Sequence, residues 1–485
     1  VRLSDLTEAT ADALKNAGEL LSGLATPTVR LGVTGLARSG KTVFITALVR
    51  NLLAGGRLPY FAAMAEGRIG RAYLEPQPDD RIPRFAYEEH LALLAGDPPQ
   101  WPEGTRRISQ LRLTIEYTPA TALRRAIGSG RLHVDIVDYP GEWLTDLPLL
   151  EQSFAQWSAL ALAEARAPHR AEAAGPWLAM LSGLDAGAPA DEQLALEGSG
   201  LFTRYLEAAR AADPALSAPG PGRFLLPGDL AGSPLLTFFP LPPAQESGYA
   251  RGSLGAMLAR RFDSYKAHVV KPFFRDHFAR LDRQIVLIDA LSALNAGPEA
   301  IADLERSLEA ILACFRPGAN TWLSSILSRR IDRLLFAATK ADHLHHASHD
   351  RLEAILRFLA DRAIARAAFA GAEVKVMALA ALRATREAEA RQGRQLLPCI
   401  VGVPLPGERL GRRVFDGKAE AAVFPGDLPE DPALLGASAR AADAVQFLRF
   451  RPPRVTLEAP SGEAPALPHI RLDRAIDFLL GDRLK

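Results

Sequence analysis

Cysteine is nearly absent from this 485-residue chain: Cys314 and Cys399 are too few for a disulfide framework or a thiolate metal site. No apolar run approaches the ~18 residues of a membrane span, and no signal-peptide pattern opens the sequence. These absences predict a cytoplasmic protein of a reducing compartment, without a membrane span. An excess of one charge is missing too, because 57 Lys and Arg balance 56 Asp and Glu for a formal net charge of +1. A chain with no global basic field is not built for nucleic acid or an anionic membrane surface. Lysine is scarce as well, 8 residues against 49 Arg, so Arg serves almost wherever a cation is needed.

What is present is a large apolar inventory. At 48% hydrophobic residues the chain buries a sizeable core, and its length implies two or three domains or one domain with large insertions. Residues 1–28 read as an N-terminal amphipathic helix, with Leu3, Leu6, Leu14, Leu20 and Leu24 at roughly helical spacing. From Val29 to Thr34 a β-branched run leads through a glycine turn into a helix from about Thr42 to Leu53. Residues 55–104 are Pro/Gly-rich with no strong period and read as an insertion; Ile108–Tyr117 and Leu132–Val137 read as strands. Residues 143–280 read as a largely helical insertion, helical near 150–166, 200–212 and 253–281. Strands at Ile285–Ile288, Arg333–Ala338 and Val374–Ala378 then alternate with helices at 298–313 and 350–367. That alternation predicts an α/β fold with a mostly parallel sheet covered on both faces, split into residues 29–142 and 281–391. Residues 392–468 form an irregular extension with short β pieces at Cys399–Val403, Ala421–Phe424 and Arg454–Leu457, and 469–485 close the chain with a helix.

Three motifs carry chemistry. Gly35-Leu36-Ala37-Arg38-Ser39-Gly40-Lys41-Thr42, followed by Val43, matches G-x-x-x-x-G-K-[ST] between a strand and a helix, the context a phosphate-binding loop requires. Its backbone N–H groups can cradle phosphates at the positive end of the helix, Lys41 can reach the β- and γ-phosphates, and Thr42 can ligate Mg²⁺. The apolar strand ending at Asp138 continues as Asp138-Tyr139-Pro140-Gly141, a D-x-x-G pattern. There the Asp takes a place near Mg²⁺ and the Gly141 amide can bond a γ-phosphate. The strand Leu334–Ala338 runs into Thr339-Lys340-Ala341-Asp342, which resembles the N/T-K-x-D motif of GTPases. An ionised Asp342 accepts from guanine N1–H and the 2-amino group, whereas adenine offers an acceptor at N1 and pairs poorly. The Lys340 stem can cover the base, and Ala380, Ala381 and Leu382 fall where a backbone turn contacts guanine.

Thr105 is the candidate switch residue closing over Mg²⁺, and Glu142 stands where many GTPases carry a water-orienting Gln. A Glu brings negative charge to an anionic γ-phosphate and predicts slow intrinsic hydrolysis, which an arginine in cis, with Arg38 and Arg106 nearest in sequence, could offset. His343, His345, His346 and His349 read as a solvated helix start rather than a metal site.

The set G-L-A-R-S-G-K-T, D-Y-P-G-E-W-L, T-K-A-D, Ala381–Thr385 and the closing His469–Arg474 with Phe478–Asp482 resembles the YcjX-like bacterial GTPases over essentially the whole chain. The resemblance implies a Ras-like P-loop domain, binding of GTP or GDP with Mg²⁺, an association with bacterial stress responses and a membrane-protein partner of the YcjF-like kind. The residues themselves leave two alternatives open: an ATPase or kinase on the same phosphate loop, and a non-hydrolysing nucleotide-dependent scaffold. They set no oligomeric state.

Overall fold

The computed structural model describes residues 26–36, 38–122, 129–212, 220–242, 248–313, 331–369, 371–392, 395–436, 446–457 and 465–485. The expected N-terminal helix, Ala37 of the phosphate loop and Cys314 lie outside the described residues. A seven-stranded sheet organises the molecule. Its strands are β1 (Thr28–Gly35), β2 (Ile69–Glu75), β3 (Ser109–Tyr117), β4 (Gly130–Asp138), β5 (Arg283–Ile288), β6 (Arg333–Ala338) and β7 (Glu373–Ala378), in the order β2-β3-β4-β1-β5-β6-β7. From β4 to β7 every pairing is parallel, and β2 and β3 add an antiparallel edge. The fold is α/β, as the alternation of strands and helices requires.

Side chains alternate across the central strands. In β5, Ile285 and Leu287 face a core shared with α1 (Lys41–Ala54), α2 (Tyr87–Ala95) and the C-terminal helix, whereas Val286 and Ile288 face the opposite layer. That layer comprises α7 (Ala290–Ala296), α8 (Pro298–Ala313), α9 (His349–Leu359) and α10 (Asp361–Phe369). The single helix expected over 350–367 is thus two, joined at Ala360.

Between β4 and β5 a third core forms around α3 (Phe154–Ala165), α4 (Ala171–Ser182), α5 (Glu192–Ala212) and α6 (Leu254–Tyr265). Aromatic rings fill it: Trp157 stacks on Phe262 at 5.0 Å between centroids, and Trp177 stacks on Tyr205 at 5.6 Å. The helical run expected over 253–281 is interrupted by a π turn at Lys266–Val270, just before Pro272, whose ring and missing N–H disturb a regular α ladder.

Three further readings of the chain's organisation need correction. Residues 55–104 are not merely irregular, because they supply β2 and α2; Gly70 and a half-exposed pattern concealed an edge strand. The C-terminal sheet pairs β8 (Arg386–Gln392) with β9 (Gln395–Gly402), so the expected boundary at 392 cuts a hairpin, the polar strand Arg-Glu-Ala-Glu-Ala-Arg-Gln having no apolar alternation of the usual kind. Arg454–Leu457 is irregular chain, not a strand; Arg50 instead donates to the Leu457 carbonyl at 2.7 Å. A two-residue ladder, β10 (Arg409–Leu410) with β11 (Arg413–Val414), and β12 (Ala421–Val423) complete the extension. The last helix, α11 (Leu472–Leu480), packs on the sheet, where the buried Arg283 guanidinium donates to Asp482 at 2.7 Å and to the Leu479 carbonyl at 3.2 Å.

Candidate functional site

At the C-terminal edge of β1 the backbone turns through Arg38 (φ 63°) and Gly40 (φ 86°), both left-handed, and enters α1. The first turn of α1 has neither a capping side chain nor an acidic residue. Its unsatisfied N–H groups are left for an anion. Lys41 is buried, and its ammonium donates to the Gly35 carbonyl at 3.0 Å. Burial lowers its pKa, while Asp138 and Glu142 pull the other way. The Ser39 hydroxyl is buried without a hydrogen-bond partner.

The Asp138 end of β4 lies beside this loop. Thr105 donates its hydroxyl to Asp138 Oδ2 at 2.6 Å, and Thr42 donates to the Glu103 carbonyl at 3.3 Å. Asp138 Oδ1 is buried and has no partner. Burial raises the Asp138 carboxyl from 3.8 to about 6, against the opposing charge of Lys41. A buried carboxylate oxygen with no donor, accompanied by two hydroxyls, fits a hard cation such as Mg²⁺, which takes oxygen ligands. Gly141 packs so tightly that an added Cβ would overlap the Gly35 carbonyl oxygen. Gly141→Ala is therefore expected to force the two loops apart at a cost of about 1–3 kcal/mol. Urea unfolding measures it, and an unchanged midpoint would contradict this packing.

The third motif closes the other end. Lys340, itself left-handed (φ 61°), pairs its ammonium with Asp289 at the end of β5. Burial pushes the Asp289 carboxyl up, yet Lys340 and Ser292 outweigh it and hold the pKa below the ordinary value. Thr339 donates to the Ile288 carbonyl at 3.3 Å, so this loop is tied to β5. Asp342 Oδ2 accepts from the Ala384 amide at 2.8 Å, and the Asp342 carbonyl accepts from the Thr385 hydroxyl. Ala380 exchanges backbone hydrogen bonds of 3.0 and 2.8 Å with Ile470, so the C-terminal segment supports the 380–382 turn.

These loops surround one cavity of about 620 Å³. Its walls include Arg38, Ser39, Gly40, Lys41, Thr42, Val43, Thr105, Arg106, Glu142, Thr339, Lys340, Asp342, Ala380, Ala381 and Leu382. Gly35, Asp138 and Gly141 are not among its lining residues. Arg106 sits at solvent, pairing with Glu103 at 2.8 Å, and Arg38 is exposed. The four histidines divide: His343 and His349 are buried, not solvated, the latter bonded to the Ala341 carbonyl at 2.8 Å, while His346 meets Glu387 at 2.7 Å. Their burial follows from packing between the Asp342 loop, α9 and Phe450, whose ring lies 5.2 Å from that of His343.

Sequence reasoning missed Trp101, Arg210, Leu226, Leu405, Arg449 and Phe450, which also line the cavity. Trp101, four residues before Thr105, is the one nearest a sequence motif: its indole donates to the Phe450 carbonyl at 2.7 Å and joins the switch segment to the extension. The others come from distant chain segments and carry no local signal.

Comparison with known proteins places this architecture. Residues 29–484 match the model of the YcjX-like family, DUF463. The chain is 40% identical over 467 residues to the "Ras-like GTPase YcjX" of Escherichia coli (strain K12), covering 94% of this chain and 96% of that protein. It is 34% identical over 484 residues to the "Ras-like GTPase YcjX" of Shewanella oneidensis, covering 96% of each. With the three motifs gathered around one cavity and the match running through nearly the whole sequence, this chain belongs to the YcjX-like family.

Proposed function

We propose that this protein binds guanine nucleotide and hydrolyses GTP slowly to GDP and phosphate, acting as a nucleotide-dependent switch. The observation that carries this reading is a cavity whose walls hold an uncapped helix N-terminus with Lys41 at one end and Asp342 at the other. The first suits phosphates, and the second suits the N1–H and 2-amino donors of guanine. The naming of its relatives as Ras-like GTPases supports the same reading. Thr42, Thr105 and Asp138 would hold Mg²⁺, which supplies neutralisation of phosphate charge. Lys41 and the backbone of 39–43 orient the triphosphate, and Gly141 stands close to the phosphate loop. Glu142, standing in place of a water-orienting Gln, keeps hydrolysis slow. A role in bacterial stress responses and a YcjF-like membrane-protein partner extend the proposal on family membership alone. Among the described residues no helix is long and apolar enough to cross a membrane.

The test is single-turnover conversion of GTP with Mg²⁺ and with excess chelator. Slow conversion that stops on chelation is expected; equal conversion in both would remove the metal from the account. A pH dependence follows from Asp138. Because its folded pKa of about 6 lies above the ordinary 3.8, it stabilises the ligand-free protein at low pH, and that contribution is lost as pH rises through about 6. A cation favours the ionised form, so Mg²⁺-dependent GTP affinity should fall by about tenfold per unit as pH drops below that value. A flat profile from pH 7 to 5 would place the metal elsewhere.

A further inference from the structure

Arg210 stands near the end of α5, within the helical layer between β4 and β5, yet it lines the nucleotide cavity. Its guanidinium donates to Glu142 Oε1 at 2.5 Å, and the pair is mostly covered, with 33% of the Arg210 and 5% of the Glu142 side chain exposed. The Arg210 charge is also felt at Lys41, where it works to lower the ammonium pKa. The chain after Gly141 is fastened to the same helical layer: Gly222 donates its amide to Asp146 at 2.6 Å, Trp143 donates to the Leu226 carbonyl at 3.1 Å, and Arg223 lies over the Trp143 ring. A Cβ on Gly222 would overlap the Glu142 carbonyl oxygen, so the contact is close on the backbone side too. Arg38 and Arg106, by contrast, are exposed, and Arg106 is engaged with Glu103.

We propose that Arg210 is the arginine supplied in cis for GTP hydrolysis, held at the γ-phosphate end of the cavity by Glu142. The proposal rests on the guanine-nucleotide reading above. In the reaction a water oxygen bonds to the γ-phosphorus, and the bond from that phosphorus to the β–γ bridging oxygen breaks with its electron pair going to GDP. One water proton stays on the released hydrogen phosphate and the other passes to solvent. Negative charge grows on the bridging and γ-phosphate oxygens during this transfer, and a guanidinium placed beside them stabilises it. A planar fork with several donors can keep one N–H on Glu142 while another meets a phosphate oxygen, which an ammonium does less well. Glu142 then acts as the positioning group for the arginine, and its negative charge, otherwise a hindrance beside phosphate, is compensated by its partner.

The experiment compares the full-length protein with Arg210→Ala, Glu142→Gln and the double substitution, measuring GDP affinity, GTP affinity and single-turnover GTP conversion with Mg²⁺. Arg210→Ala is expected to slow conversion by about 10²- to 10³-fold, with GDP affinity within a few-fold of the unsubstituted protein, because GDP lacks the γ-phosphate. The double substitution relieves the carboxylate left unpaired in the buried site, guarding against misfolding, and is expected to stay slow. Added guanidinium should partly restore the Arg210→Ala rate. Conversion by Arg210→Ala at the full rate would overturn the proposal. So would restoration by the double substitution, which would make Arg210 only the counter-ion of Glu142, and so would a loss of GDP affinity matching the loss of rate. Failure of the unsubstituted protein to bind GTP is the distinct outcome that removes the guanine-nucleotide reading and this assignment together.

Discussion

Lys41→Ala lowers the affinity for both GTP and GDP by ~10²-fold or more, measured by equilibrium binding. Two losses act in the same direction. The ammonium, now bonded to the Gly35 carbonyl at 3.0 Å, is the only lysine amine on the phosphate-loop side of the cavity among its described walls, and each charge-assisted contact with a phosphate is worth about 1.5–3 kcal/mol. Lys41 is also the charge that opposes the burial of Asp138. Without it the Asp138 pKa rises further above about 6, so less of the carboxylate is ionised at neutral pH and the metal is held less well. A dissociation constant that stays unchanged would show that the phosphates bind elsewhere.

Asp342→Asn changes the base preference. The carboxylate is buried, with Oδ2 on the Ala384 amide at 2.8 Å, and it retains lone pairs for two donors. Replacing one oxygen by an NH₂ group sets donor against donor at guanine, a loss of about 1.5–3 kcal/mol per contact. Xanthine, which has a carbonyl where guanine has its 2-amino group, can accept from that amide. Competition titrations should show GTP weakened by ~10²-fold and XTP strengthened relative to it. Retained GTP selectivity would remove Asp342 from base recognition. Because Asp342 also shapes its own loop through Ala384 and Thr385, the gain for XTP, not the loss for GTP alone, is the diagnostic reading.

How much of this was legible in the sequence depends on how local the signal is. Phosphate binding by a backbone turn needs Gly40 left-handed and Lys41 and Thr42 at fixed offsets, so eight consecutive residues announce it. The parallel strands β5 and β6 read clearly because both faces are buried and most positions are apolar, and β1 reads from its β-branched run into the glycine turn. The edge strand β2, half-exposed along most of its length, and the charged strand β8 lack that pattern and carry no strand signal of their own. Arg210 was hidden for a different reason. It meets Glu142 from 68 positions away on a helix packed through Trp157, Trp177 and Phe202, and no periodicity on α5 marks which of its polar residues turns towards the cavity. Chemistry built from one loop can be read; chemistry shared between a loop and a remote helix waits for the fold.

The same distinction explains the contribution of the extension. Phe450 and Arg449 complete a wall of the cavity, with Trp101 bonded to the Phe450 backbone. Thr105 is only four residues beyond Trp101, so the segment that carries the switch threonine is continuous with the segment holding the extension in place. Lysine, scarce elsewhere, falls at both ends of the cavity as Lys41 and Lys340, the first bonded to the Gly35 carbonyl of its own loop and the second to Asp289 at the end of β5.

The most direct measurement is displacement of a fluorescent GDP analogue from the unsubstituted protein by GTP and by ATP under identical Mg²⁺ and salt. A cavity with phosphates on the 39–43 backbone and guanine on Asp342 predicts displacement by GTP at a concentration ~10²-fold or more below that needed for ATP. Displacement by ATP at the same concentration as GTP would contradict it.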